Sequence, residues 1–95
     1  MKLVFVSNFM NHHQLLLSKY FLEMKDIEYT FIATEANNPR KATSDEIAKV
    51  ASKHINNVHS EPDVNKALVF AKSISDKDSI ICVCGSLYLL GDVNI

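Results

Sequence analysis

Apolar residues fall along this chain in two alternating modes. In one mode they form short continuous runs. In the other they return every third or fourth position. Lys2 to Ser7 reads KLVFVS, a continuous apolar run rich in β-branched and aromatic types. Such a run predicts a strand buried on both faces, as in a parallel sheet. Tyr29 to Thr34 (YTFIAT) and Ile80 to Cys84 (IICVC) read the same way, and Val58-His59-Ser60 is a shorter candidate strand. Between the first two runs, Leu15, Leu16, Tyr20, Phe21 and Met24 recur at helical spacing and predict an amphipathic helix from His12 to Met24. Thr43-Ser44-Asp45-Glu46 has the spacing of a capping box, and it predicts a helix with Ile47, Val50, Ala51 and His54 on its inner face. Glu61-Pro62-Asp63 reads as the start of a further helix, whose inner stripe is Val64, Ala67, Leu68, Ala71 and Ile74. Leu87 to Leu90 predicts a short helical turn closed by Gly91. Asn8 to Asn11, Asn37-Asn38-Pro39-Arg40 and Asp76-Lys77-Asp78 carry turn chemistry.

The predicted order is therefore β-α-β-α-β-α-β with short connections. Alternation of this kind predicts an α/β fold with a parallel sheet. A fixed crossover hand then places helices on both faces of the sheet. The expected architecture is a small three-layer, Rossmann-like half with a four-stranded parallel sheet. Fold rules suggest the strand order 3-2-1-4; periodicity alone does not specify it. With 95 residues the chain is expected to form one domain, 1–95.

Composition narrows the classes. Hydrophobic residues make up 47% and charged residues 22%, which is a globular rather than a disordered balance. The net charge of −1 offers no electrostatic reason to expect nucleic acid or an anionic membrane as partner. Cys82 and Cys84 lie on one face of one predicted strand, poorly placed to bridge each other, and a reducing cytoplasmic setting is expected. The apolar start at Lys2 to Val6 is interrupted by Asn8, Asn11, His12 and His13, too early for a signal peptide or a membrane span.

Candidate chemistry follows from the fold class. Open parallel sheets bind ligands beyond the carboxyl ends of their strands. Four segments are expected there: Ser7 to His13, Glu35 to Arg40, Ser60 to Asp63, and Gly85-Ser86. Gly85-Ser86 precedes a helical turn. Its backbone N–H groups and the Ser86 hydroxyl could face an anion, or they could serve only as a tight turn and an N-cap. His12 and His13 stand at a predicted helix start, where an imidazole could donate to a ligand, although adjacent helical positions face different ways. Arg40 could fork onto a carboxylate or phosphate, or lie solvated in its loop. With Gly85 and Gly91 as the only glycines, neither a GxGxxG nor a GxxxxGK[ST] phosphate loop can be built. No spacing of ligand types points to a metal site, and neither a Ser-His-Asp arrangement nor a paired-carboxylate site is recognisable.

Four stretches carry a resemblance: Asn37-Asn38-Pro39-Arg40-Lys41-Ala42, Asp45-Glu46-Ile47-Ala48, Asp63 to Leu68, and Cys84-Gly85-Ser86-Leu87-Tyr88-Leu89-Leu90-Gly91-Asp92-Val93. Over about residues 30 to 93 the chain resembles the end of the C-terminal domain of folylpolyglutamate synthase/dihydrofolate synthase, within the Mur ligase superfamily. The GSLYLLGD block is the most specific part. The resemblance implies an ATP-dependent amide ligase that joins glutamate to a folate through an acyl phosphate. ATP and Mg²⁺ are implied only for the full ligase, whose N-terminal domain carries the phosphate loop and has no counterpart here. Nor does the family's upstream Asp-Gly-Ala-His-Asn-Pro segment. The resemblance makes Ser86, with Gly85, the leading substrate-contact candidate, and Arg40 a secondary one.

Residues 1 to 35 instead resemble the start of two-domain, Rossmann-type glycosyltransferases, through Ser7-Asn8-Phe9-Met10-Asn11-His12-His13-Gln14. That resemblance implies Asn8 and His12 or His13 as acceptor-side candidates. The two resemblances meet near residues 34 to 36, which suggests a hybrid. The expected function is a ligase-like α/β domain without catalysis of its own. The alternatives are a weak glutamate- or nucleotide-binding module, or part of a ligase or glycosyltransferase that needs a partner domain. A four-stranded sheet also leaves two edges, so a homodimer paired along the last strand is an expected partner.

Overall fold

The computed structural model describes residues 1–8, 23, 26–35 and 43–84. The described elements are β1 (Lys2–Ser7), β2 (Glu28–Glu35), α1 (Ser44–Ala51), β3 (Val58–Asp63), α2 (Val64–Ser73) and β4 (Ser79–Cys84). The strands form one sheet in the order β3-β2-β1-β4. All three pairings are parallel. The architecture expected from the sequence is the one found. Of the predicted helix at 12–24 only Glu23 is described, helical and exposed, and the helical turn at 87–90 lies outside the described residues.

β1 is the hub. Lys2 is level with Glu28 on one side and Ser79 on the other, and the register runs unbroken to Ser7, level with Ala33 and Cys84. Leu3, Val4, Phe5, Val6 and Ser7 are all buried. A strand flanked on both sides and covered on both faces has no room for alternation of polar and apolar types, which is why it reads as a continuous apolar run.

The two faces pack separately. Leu3 and Phe5 of β1 join Tyr29, Phe31 and Ala33 of β2 under Ile47, Ala51 and Ile55. Phe5 and Tyr29 meet edge to face, with ring centroids 5.2 Å apart. Val4, Val6 and Ile32 face the other way and lie under Val64, Ala67 and Ala71 of α2. This split follows from topology. The crossover through α1 moves outward from β2 to β3, and the one through α2 moves back across the sheet to β4. Two crossovers of the same hand running in opposite directions must use opposite faces.

Two details correct the sequence reading. Val50 and His54, expected on the inner face of the first capped helix, are exposed, and Ile55 is buried in their place. The buried face of α1 is set by Ser44, Ile47 and Ala51. At about 100° per residue, Val50 falls well to one side of that stripe. Glu61-Pro62-Asp63 does not open a helix. It ends β3, and Asp63 is the N-cap of α2, its carboxylate accepting from the N–H groups of Asn65 and Lys66. Proline is tolerated here because β3 is an edge strand, where a missing N–H breaks no ladder on its outer side.

Phe31 is fully buried and Val50 is 45% exposed. Phe31→Ala should therefore lower the unfolding free energy by about 3–5 kcal/mol. Val50→Ala should change it by no more than about 0.5 kcal/mol. Urea titration followed by circular dichroism checks both, and equal losses for the two variants would contradict this core.

Candidate functional site

The register brings the carboxyl ends of all four strands level. Ser7 lies beside Ala33 and Cys84, and Ala33 lies beside Ser60. The chain winds from β1 toward β3 and then jumps back to β4, so the reversal point lies between β1 and β4. In open α/β sheets a ligand crevice forms beyond the strand ends at such a point. Two candidate segments leave from it: Asn8 follows Ser7, and Gly85-Ser86 follows Cys84. Asn8 is half-buried at the end of β1. Gly85, Ser86, Arg40, His12 and His13 lie outside the described residues.

The β2–β3 half of this end is built differently. The Glu35 carboxylate closes back onto α1, its Oε2 accepting from the N–H of Ser44 at 2.9 Å. Thr43 completes the capping box foreseen from its spacing: its Oγ1 accepts from the Glu46 N–H at 3.2 Å, and Glu46 Oε2 accepts from the Thr43 N–H at 3.3 Å. Ser60 Oγ lies 2.7 Å from Asp45 Oδ1 and 2.9 Å from Ser44 Oγ. A hydroxyl has one proton, so Ser60 donates to the carboxylate and accepts from Ser44. Carboxylates around a helix N-terminus are stabilised by its partial positive charge. Here Glu35, Asp45 and Glu46 fill that role from within the chain.

Charge therefore divides the carboxyl end in two. On the β2–β3 side, Glu35, Asp45, Glu46, Glu61 and Asp63 make a negative rim whose helix start is already satisfied. On the β1–β4 side, the described strand-end residues Ser7 and Asn8 are neutral. An anionic ligand is disfavoured on the first side and meets no like charge from those residues on the second.

Sequence reasoning reached Glu35 and Ser60 only as the borders of candidate segments. It missed their contacts to α1. Ser44 lies 9 residues from Glu35 and 16 from Ser60, and the crossover alone brings the three together. The signal available was a carboxylate ending one strand just upstream of a capping box.

Described residues also line hollows. One of about 170 Å³ sits beside the edge strand, lined by Ile32, His59, Ser60, Glu61 and Phe70. Its His59 ring packs at a tilt against Phe70, with centroids 4.8 Å apart and 58° between the planes. Another, about 130 Å³, is at the opposite, amino end of the sheet, among Met1, Lys2, Glu28, Asp76 and Asp78. There the Asp76 carboxylate accepts from the Asp78 N–H at 2.9 Å and from the Ser79 hydroxyl at 3.0 Å. These bonds, the Asp78 N–H first, hold its pKa below the ordinary 3.8, with a smaller contribution from Lys2.

Among the described residues no three His, Cys, Asp or Glu side chains converge to hold a metal ion. Nor is any described helix long and apolar enough to cross a membrane.

Residues 29–95 match the family model for the dihydrofolate synthetase C-terminal domain. The chain belongs to that family. The match spans β2 to β4 and runs through the GSLYLLGD block. It begins at Tyr29, one residue inside β2, and leaves β1 outside, although β1 is the strand that β2 and β4 share. No curated protein and no solved structure gave a match. With Gly85 and Gly91 as its only glycines, the chain contains neither a GxGxxG nor a GxxxxGK[ST] phosphate loop.

Two expectations concern the ends of the sheet. Thr43→Ala should cost about 1 kcal/mol through loss of the α1 cap. Glu35→Ala should cost a similar amount, about 1–2 kcal/mol, because it removes a charge-assisted bond. Both are read from denaturant midpoints, and an unchanged midpoint would exclude the corresponding cap. At the amino end, a depressed folded pKa means that Asp76 stabilises above its ordinary value of 3.8, and that this is lost as pH falls through the lower folded value. Melting temperatures between pH 6 and pH 2 should therefore fall less steeply below about pH 4 in Asp76→Asn.

Proposed function

We propose that this chain is the substrate-closing lobe of a folate–glutamate ligase site, and that it carries no complete catalytic apparatus of its own. The observation that supports this most is the family match running through Gly85-Ser86. Those residues directly follow Cys84, whose strand end flanks the reversal point of the sheet.

In this reading Ser86 contacts the glutamate side of the reaction. Its hydroxyl and the adjoining peptide N–H groups donate to a substrate carboxylate. Arg40, in the segment between β2 and α1, offers a second, forked contact to a carboxylate or phosphate. The negative rim at β2–β3 keeps the anionic substrate toward β1–β4. Activation of the folate carboxyl by ATP belongs to a separate domain that supplies the phosphate loop and the metal. No step of that activation is assigned to the residues of this chain.

The first 28 residues stand outside the family match. Their resemblance to the acceptor domain of glycosyltransferases supports a second reading, a hybrid joined near residues 34 to 36. In that case Asn8, His12 and His13 are inherited from a sugar-acceptor site, with a nucleotide-sugar domain supplied elsewhere.

Isothermal titration tests the first reading. Glutamate should bind the chain weakly, and Ser86→Ala should weaken it by about tenfold, the loss of one hydrogen bond to a charged group. Mixing the chain with the N-terminal domain of a folate–glutamate ligase should restore ATP-dependent ligation, while the chain alone should give none. No heat with glutamate at millimolar concentration would overturn the glutamate contact. Turnover by the isolated chain would overturn the assignment of catalysis to a partner domain.

A further inference from the structure

The two margins of the sheet are unlike. β3, at one margin, carries His59, Glu61, Pro62 and Asp63, and its register with β2 breaks between Ala33 and Glu35. Charge, proline and an irregular register are the devices by which edge strands avoid pairing with other chains. β4, at the other margin, has none of them. Ser79-Ile80-Ile81-Cys82-Val83-Cys84 is uncharged and free of proline, and it pairs with β1 through six consecutive positions. Among the described residues no strand lies beyond it. Ile80 is 52% exposed. Ile81, Cys82 and Val83 are half-buried, whereas the β1 residues beside them are buried.

The outward groups of β4 can be assigned. The Lys2 N–H donates to the Asp78 carbonyl at 3.0 Å, and Lys2 is level with Ser79. In a parallel ladder, Asp78, Ile80 and Cys82 then turn their peptide groups toward β1. Ser79, Ile81 and Val83 turn theirs outward.

We propose that β4 pairs antiparallel with β4 of a second copy of this chain, about a two-fold axis normal to the sheet and passing through Ile81. Ile81 then forms a hydrogen-bonded pair with the partner's Ile81, and Ser79 with the partner's Val83. That closes about six hydrogen bonds between the two strands and satisfies about six outward groups on each. Ile80 stands opposite the partner's Cys82. Both lie on the α1 face, because Cys82 packs against that core and Ile80 shares its parity. Other registers that match outward groups close fewer hydrogen bonds between the two strands, and an axis between residues would set Ile80 against a residue of the opposite face. The occupant is a second copy because the strand is uncharged and self-complementary about Ile81. This proposal does not depend on the ligase reading.

Sedimentation of the full chain across micromolar to sub-millimolar concentration tests it. Twice the monomer mass is expected. Ile80→Lys places a charge on the exposed edge twice per dimer and should weaken association by about tenfold, with an unchanged melting temperature for the monomer. The register has its own test. Directly opposite, non-hydrogen-bonded residues have Cα atoms about 4.5 Å apart, within disulfide reach. With diamide as the oxidant accepting the two thiol hydrogens, Ile80→Cys should give a covalent dimer that is lost in Ile80→Cys/Cys82→Ser. A monomer at every concentration would overturn the proposal, as would a dimer indifferent to Ile80→Lys. A dimer that fails to cross-link would overturn the register.

Discussion

β1 has a neighbour on each side and a helix-covered core on each face. Its six residues set the register of β2 and β4 and supply side chains to both hydrophobic clusters. Val4 and Val6 are fully excluded from water on one face, and Leu3 and Phe5 are nearly so on the other. A domain of this size buries only about 60–65% of its unfolded surface. A strand that contributes to both cores at once is therefore a large part of what holds it together. The family match starts after this strand, so the residues that anchor the sheet and the residues that define the family are not the same residues.

That separation bears on how function is distributed. The level of the strand ends follows from the β1 register, and it places Asn8 and the entry to Gly85-Ser86 at one reversal point. The helix start at α1 is closed by carboxylates of the chain itself, so the negative rim is a structural feature with an electrostatic consequence. On the β1–β4 side the described strand-end residues Ser7 and Asn8 carry no like charge. In the proposed reading, the contribution of such a lobe is the Ser86 hydroxyl and the adjoining peptide N–H groups.

Edges carry the second theme. A four-stranded sheet has to dispose of two of them. β3 is guarded by Glu61, Pro62 and Asp63, the same residues that cap α2 and end the strand. One short segment thus terminates β3, starts a helix and blunts the margin. Among the described residues β4 has no such guard, because Ile81, Cys82 and Val83 pack against the two cores and cannot be exchanged for charge without loss of packing.

Much of the architecture was legible in the residues. The runs KLVFVS, YTFIAT and IICVC, the capping box at Thr43 to Glu46 and the stripe from Val64 to Ile74 report local constraints: burial on two faces, a cap, one apolar face. These constraints act over a few residues, so a sequence displays them directly. The inner face of α1 was legible only in part, since eight residues allow several stripes and the underlying sheet chose the one through Ser44, Ile47 and Ala51. The contact of Glu35 with Ser44, and of Ser60 with Asp45, was not legible, because it joins residues brought together by a crossover rather than by spacing. By itself the sequence determined where the described strands and helices lie, to within a few residues, and most of the apolar positions they bury. Only the tertiary structure decided which strand ends stand side by side, where the negative rim lies and which edge has no further strand among the described residues, because those properties depend on pairings between distant segments.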